Sequence, residues 1–368
     1  VPAPVHDVHP GVGDGANGCV LARERPDMSA SPVSFSVFLP VRNGGSYLKL
    51  CVRSILDQTY PNFELHVLDN ASTDDAVPWL SSLKDPRVHI WQSTRALSIE
   101  DSWARILNVP KRDYMTFLGH DDLFDPQYLE RARTLIELYP DASLYETGSR
   151  LINAAGETIR SCQPVAARET AAQYLEARLT YRRDALGTGF VMRSGDYDRL
   201  GGIPSFERLL FADDALWLSL AKLSWKAADP RESLSIRIHE RSESASMPST
   251  WRSILLGLDQ FTDFLERFIE EDEPCRNVYR SVGPSFLARY HRNIYIYALM
   301  EACQKGERID PAILQQIESL LARKTSGAVK ALPGSFPVKA LEALNRSRFR
   351  SQVDRLWKIY YRIRTQSA

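Results

Sequence analysis

Residues 113–122 read DYMTFLGHDD, and the fold turns on this stretch. Its first half, 114–118, is short, apolar and aromatic, the pattern of a strand buried in a sheet. The run stops at Gly119 and delivers His120, Asp121 and Asp122 at the strand's carboxyl end. Two adjacent carboxylates repel unless something positive lies beside them. A divalent cation answers that need, and hard oxygen ligands suit Mg²⁺ or Mn²⁺. Open α/β sheets bind ligands outside the carboxyl ends of their strands, so location and chemistry agree. The plainer alternative is a solvated turn that caps the next helix.

Upstream, residues 33–39 read as a first strand that meets Pro40. Arg42-Asn43-Gly44-Gly45 is a turn, and Ser46 is placed to cap a helix running to about Leu56. A second strand, 63–68, ends in Asp69-Asn70-Ala71-Ser72-Thr73-Asp74-Asp75, a polar tail at another carboxyl end. Thr73 and Asp74 suit the cap of the helix that follows. A short third strand (88–91) and a helix (98–107) complete the approach. This alternation predicts a mostly parallel sheet with crossover helices.

Downstream, Asp125-Pro126 predicts a helix start. A hairpin-like pair follows at 143–152 and 157–161, then a helix at 170–179. Gly187-Thr188-Gly189 is a tight turn. Residues 211–218, FADDALWL, set two acids at the head of an apolar helix, and a strand at 234–238 leads to His239. From about Thr250 the texture becomes helical. Ile254, Leu258, Phe261, Leu265 and Phe268 step by four and three, the stripe of a helix facing a core. Residues 338–364 read as a last helix rich in Arg and aromatics, suited to an anionic membrane surface or to docking on the protein's own body.

Bulk composition excludes little but does exclude something. The 368 residues are 44% hydrophobic and 25% charged, too apolar for disorder. Basic and acidic residues number 46 each, so no global field favours nucleic acid. Five scattered cysteines without a CxxC pair argue for a reduced compartment and against a disulfide framework or zinc site. No apolar run reaches the ~18 residues of a membrane span. Residues 1–27 are rich in Pro, Gly and charge and start without Met, so they are expected to be an extension outside the fold and not native to it.

Taken together, these segments resemble the family 2 glycosyltransferases of the GT-A fold. The resemblance covers about residues 34–246. Five pieces carry it in order: Leu39-Pro40-Val41-Arg42-Asn43, the Asp69-to-Asp74 tail, Leu118-Gly119-His120-Asp121-Asp122, the acidic start from Asp213 to Trp217, and Arg237-Ile238-His239. It implies a Rossmann-like α/β domain, mostly parallel with flanking helices, over 28–247. An all-helical domain (248–332) and a linker with the basic helix (333–368) would follow. The implied activity is inverting, metal-dependent transfer of a sugar from a nucleotide-sugar, UDP-linked by preference, to a hydroxyl of a glycan or lipid-linked acceptor in bacterial surface polysaccharide synthesis. The implied location is cytoplasmic, with attachment to the inner face of the membrane through residues 338–368, and self-association through the helical domain is open.

The same resemblance assigns roles. Asp121 is the first expected ligand of Mn²⁺ or Mg²⁺, with Asp122 a direct or supporting partner and His239 a late ligand or phosphate contact. Pro40, Arg42, Asn43, Asp69, Asn70, His120 and Arg237 would line the donor, Asp69 reading the base and Arg237 pairing with phosphate. Asp213 is the expected base that deprotonates the acceptor hydroxyl, with Asp214 an alternative base or positioning neighbour. Gly187, Thr188 and Gly189 would line the acceptor side. Three departures stand out: Gly119 replaces the usual first Asp, Arg42 the usual aromatic, and Ala212 the usual acid before the base. They keep two rivals in play, a non-catalytic assembly subunit that holds partner enzymes and, more remotely, a sugar nucleotidyltransferase.

Overall fold

The computed structural model describes residues 32–239, 251–324, 336–347 and 349. The N-terminal extension and most of the basic tail expected at 338–364 lie outside these residues. The chain begins with β1 (Phe35–Val41), α1 (Gly45–Leu56), β2 (Phe63–Asp69), α2 (Ala76–Ser82) and β3 (Val88–Gln92). Next come α3 (Ile99–Ala104), a 3-10 turn, β4 (Tyr114–Phe117), β5 (Leu123–Phe124) and α4 (Tyr128–Leu138). The second half of the sheet is built from β6 (Leu144–Ile152), β7 (Thr158–Ser161), β8 (Arg168–Glu169), β9 (Phe190–Arg193) and β10 (Lys226–Arg237). Between these strands lie α5 (Ala171–Leu179), α6 (Ser194–Arg199) and α7 (Ala212–Leu223). Four helices close the chain: α8 (Trp251–Phe268), α9 (Glu273–Gln304), α10 (Pro311–Lys324) and α11 (Phe336–Arg346).

All ten strands share one sheet, ordered β3-β2-β1-β4-β9-β6-β10-β5, with β7 on β6 and β8 on β10. The first four strands are parallel, as the βαβα spacing predicts. Every residue of β1 is buried, as expected of a parallel strand covered on both faces. Pro40 is tolerated in this strand because the β1–β4 ladder ends at Phe38 opposite Phe117. Beyond β4 the sheet turns mixed: β9 runs antiparallel to both β4 and β6, while β10 runs parallel to β6. The β6–β7 hairpin forms where expected.

Two local starts differ from the sequence reading. Helix α1 begins after Gly44, and Ser46 lies inside it instead of capping it. Asp125 does not cap α4, which starts at Tyr128; its carboxylate pairs with Arg150 instead, 3.1 Å from Nη1. In the second case a tertiary contact displaced a local propensity.

The helical stripe of α8 is buried throughout. One core cluster runs from Phe38, Met115 and Phe117 in the sheet through Trp217 on α7 to Phe261 on α8 and Phe286 on α9. The helices therefore complete the hydrophobic layer on one face of the sheet. A separate cluster, with Val37, Leu65, Leu129 and Tyr145, fills the other face. No helix among the described residues is long and apolar enough to cross a membrane.

Candidate active site

The carboxyl ends of β1, β2 and β4 lie side by side, and their loops are stitched together. The Asn43 side-chain oxygen accepts the Thr73 N–H at 2.8 Å, and the Asn43 N–H donates to Ser72 Oγ at 2.9 Å. Asn70 bonds both backbone groups of Leu97, accepting at 2.7 Å and donating at 3.1 Å. Asp74 receives the Gly45 N–H at 3.0 Å and the Ala76 N–H at 3.2 Å, so it ties α1 to the start of α2. Asp69 is buried, and both its oxygens accept the Ser72 N–H at 3.3 Å. Arg42 is exposed at the rim, and Pro40 is buried in the strand.

At the end of β4 the adjacent acids part ways. Asp122 is buried, one oxygen accepting the Arg237 N–H at 2.9 Å and the other the Thr188 hydroxyl at 3.3 Å. Burial, and then the Asp121 charge, push its carboxyl up to about 8. Asp122 is thus engaged within the protein, by the Arg237 N–H and the Thr188 hydroxyl. Asp121 is more exposed, and its carboxylate lies 2.9 Å from His239 Nε2. His120 sits beside the β1–α1 turn, close enough that a Cβ on Gly44 would stand 3.2 Å from its ring. Burial lowers the His120 pKa from its ordinary value.

Gly119 explains itself. A Cβ there would fall 2.8 Å from an Asp122 oxygen and 3.0 Å from an Asp121 oxygen. While these carboxylates hold their places, the customary first Asp has no room.

Arg237 requires a correction. It is buried, donating through Nε to the Asp121 carbonyl at 2.8 Å and through Nη1 to the Asn153 carbonyl at 3.0 Å. Its guanidinium also lies 4.7 Å from the centre of the Tyr47 ring. It braces the loops and is not offered to a phosphate. Tyr47, which the sequence did not single out, also places its ring 4.9 Å from that of His239. The two partners are nearly two hundred residues from Tyr47, so no local signal marks it.

The second acid pair heads α7. Asp214 is buried in an ion pair with Arg178 Nε at 2.7 Å. That contact removes Asp214 as the alternative base. Asp213 keeps part of its surface. A Cβ on Gly187 would lie 3.5 Å from one of its oxygens. Desolvation, with the Asp214 charge second and Arg178 opposing, pushes the Asp213 carboxyl up to about 7.

One turn therefore meets both acid pairs. Gly187 stands beside Asp213, and the next residue, Thr188, bonds Asp122. Gly189 fixes the turn: its φ is +81°, and a Cβ there would lie 2.2 Å from a Leu234 methyl. Its N–H donates to the Phe117 carbonyl at 3.0 Å, and its carbonyl accepts the Tyr128 hydroxyl at 2.9 Å.

The donor set for a cation is small. Among the described residues no three His, Cys, Asp or Glu side chains gather to hold an ion by themselves. Asp121 and His239 supply an oxygen and a nitrogen at one point. Mg²⁺-type ions are commonly bound through one or two carboxylates, with substrate phosphates and water completing the shell. The residues fit an ion that arrives with a diphosphate.

Residues 36–157 match the Glycosyl transferase family 2 sequence family. The glycosyltransferase GlyG of Streptococcus pneumoniae is 31% identical over 97 residues, 26% of this chain and 32% of that protein. An uncharacterised glycosyltransferase of Haemophilus influenzae is 33% identical over 100 residues, 26% of this chain and 39% of its own length. The matched stretch thus spans well under half of each relative. Among solved structures, S. aureus TarS 1-349 in complex with UDP-GlcNAc superposes with a TM-score of 0.51 at 13% identity, covering 85% of this chain and 92% of that one. That likeness is one of fold, and it extends through the helices. Residues 36–157 thus resemble glycosyl transferase family 2 in sequence, and the fold of the described residues is like that of TarS.

Proposed function

We propose that this chain is a family 2 glycosyltransferase and moves a sugar from a UDP-linked donor to an acceptor hydroxyl, with inversion at the anomeric carbon. The observation that carries the reading is the Gly187–Gly189 turn, whose consecutive residues touch the base candidate and the acid pair at the end of β4. Donor and acceptor sites then share one wall.

In this reading the base of the nucleotide lies over the β1 and β2 loops. Asp69 has acceptor capacity beyond its long bonds to Ser72, enough to take an imide N–H. The UDP-GlcNAc bound to the TarS fold neighbour supports the same choice. Asp121 and His239 would hold a divalent cation, which when bound stabilises negative charge on the departing diphosphate as a Lewis acid. Asp122 and Arg237 keep Asp121 in place from behind. Asp213 accepts the acceptor hydroxyl's proton as that oxygen attacks. A carboxyl raised to about 7 is a stronger base than an ordinary aspartate and is still half-ionised near neutrality. One in-line displacement inverts the centre. The acceptor is read as a glycan or lipid-linked glycan of a bacterial surface polymer, reached from the inner face of the membrane with the basic segment at 338–368 as a docking element.

The test is calorimetry of UDP, GDP and dTDP sugars against the protein, with and without Mn²⁺, followed by transfer assays with the donor that binds. The expected result is Mn²⁺-dependent binding of a UDP-sugar and transfer that Asp213→Asn abolishes without weakening donor binding. Full turnover by Asp213→Asn would exclude the assigned base.

A further inference from the structure

We propose that Arg178 is the positioning residue of the base: it holds Asp214 in a buried ion pair and, together with Tyr290 of α9, fixes the first turn of α7 so that Asp213 faces the Gly187 turn. The proposal rests on the reading of Asp213 as the base and goes one step behind it.

The need arises from the sequence. Ala212 precedes the base candidate Asp213, and a second acid, Asp214, follows it directly. A buried carboxylate next to the base would drive the base to hold its proton. Arg178 is the counter-charge that α5 supplies, at 2.7 Å, with both side chains 4% exposed. The other ionisable groups facing this spot are Tyr174, also on α5, and Tyr290. Tyr290 faces the same guanidinium, which also lies 5.7 Å from the centre of the Phe286 ring on α9.

The helices hold the same turn a second way. Phe211, the residue before α7, has φ +63°, a left-handed conformation that a bulky residue keeps only where its surroundings impose it. Its ring stacks on Phe261 of α8 at 5.3 Å and meets Tyr290 edge-on at 5.2 Å. Gly257 lets α8 come this close, since a Cβ there would lie 2.8 Å from Leu210 Cβ. The C-terminal helices thus approach the head of α7 at two places, beside the Arg178 guanidinium and around the Phe211 ring. Arg178 touches no reacting atom in this scheme; it acts through Asp214 and α7.

The experiment follows the Asp213 carboxyl by ¹³C NMR titration, its signal identified by loss in Asp213→Asn, alongside the pH profile of kcat/KM for transfer. Arg178→Gln should raise the Asp213 midpoint by about one pH unit, and the acid limb of the rate profile should move with it. Arg178→Lys should bring both back towards wild type, and Tyr290→Phe should give a smaller shift in the same direction. Should Arg178→Gln fail to fold around an unpaired Asp214, the double replacement Arg178→Gln with Asp214→Asn removes both charges; it should fold and return the midpoint to the wild-type value or below. An unmoved midpoint in Arg178→Gln, or a rate lowered equally at every pH, overturns the proposal. A midpoint that moves in a protein transferring no sugar from any donor instead refutes the base reading and leaves the coupling standing.

Discussion

Asp121-Asp122 and Asp213-Asp214 are both adjacent acid pairs in which the first residue looks outward and the second is buried. Their supports differ. Asp122 is held by neutral donors, a backbone N–H and a hydroxyl, and it is Asp122 whose carboxyl rises to about 8. Asp214 is held by a full ion pair, and there it is the outward partner, Asp213, that rises, to about 7. At the first pair the buried acid meets a backbone amide and a hydroxyl, and its own carboxyl holds the proton more tightly. At the second pair the buried acid meets an arginine, and it is the neighbour whose carboxyl is pushed up, first by burial and then by the Asp214 charge. Identical dipeptides thus sit in different electrostatic surroundings because their partners differ.

The largest test of this contrast is Asp213→Asn against Asp214→Asn. The first should lower kcat by about 10²–10⁴-fold with donor affinity unchanged in calorimetry. The second should lower it much less; equal losses would erase the distinction drawn within that pair. Next, Asp121→Asn should reduce the affinity for UDP in the presence of Mn²⁺ to the metal-free level, whereas Asp122→Asn should retain most of the metal effect. Titration of UDP with and without the ion reads both. Gly189→Ala should harm both pairs together, because the turn that joins them cannot keep φ +81° or its clearance from Leu234; a loss of about 1–3 kcal/mol in denaturant unfolding is expected. Smallest is the pH effect. A base must be ionised, so the rate should fall about tenfold per pH unit below 7 and level off above it, with Asp213 setting the limb. A profile flat from pH 5 to 9 would assign the base elsewhere.

Much of this arrangement is written locally. An apolar run that breaks into acids, as at residues 114–122, tells its own story because burial and chain direction are both in the string. The α8 stripe is equally plain, since five apolar residues at helical spacing have one face to bury. What escaped the sequence depends on partners far along the chain. Asp125 reads as a helix cap until Arg150 takes it, and Arg237 reads as a phosphate ligand until the carbonyls of Asp121 and Asn153 claim it. Arg178 gives no sign at all, being one arginine on an amphipathic helix whose partner lies 36 residues away. The mixed half of the sheet was hidden for a related reason: β9 is four residues long, and so short a strand does not announce its direction.

The hydrophobic layer shared by the sheet and the C-terminal helices has a practical meaning for anyone dissecting this chain. Trimming the chain after β10 would strip Phe261, Phe286 and Tyr290 from the layer that packs against α7 and lay bare an oily face. Chimeras meant to swap acceptor preference should therefore exchange α5, α7, α8 and α9 as a block, because a graft that splits them would separate the base from the scaffold that aims it.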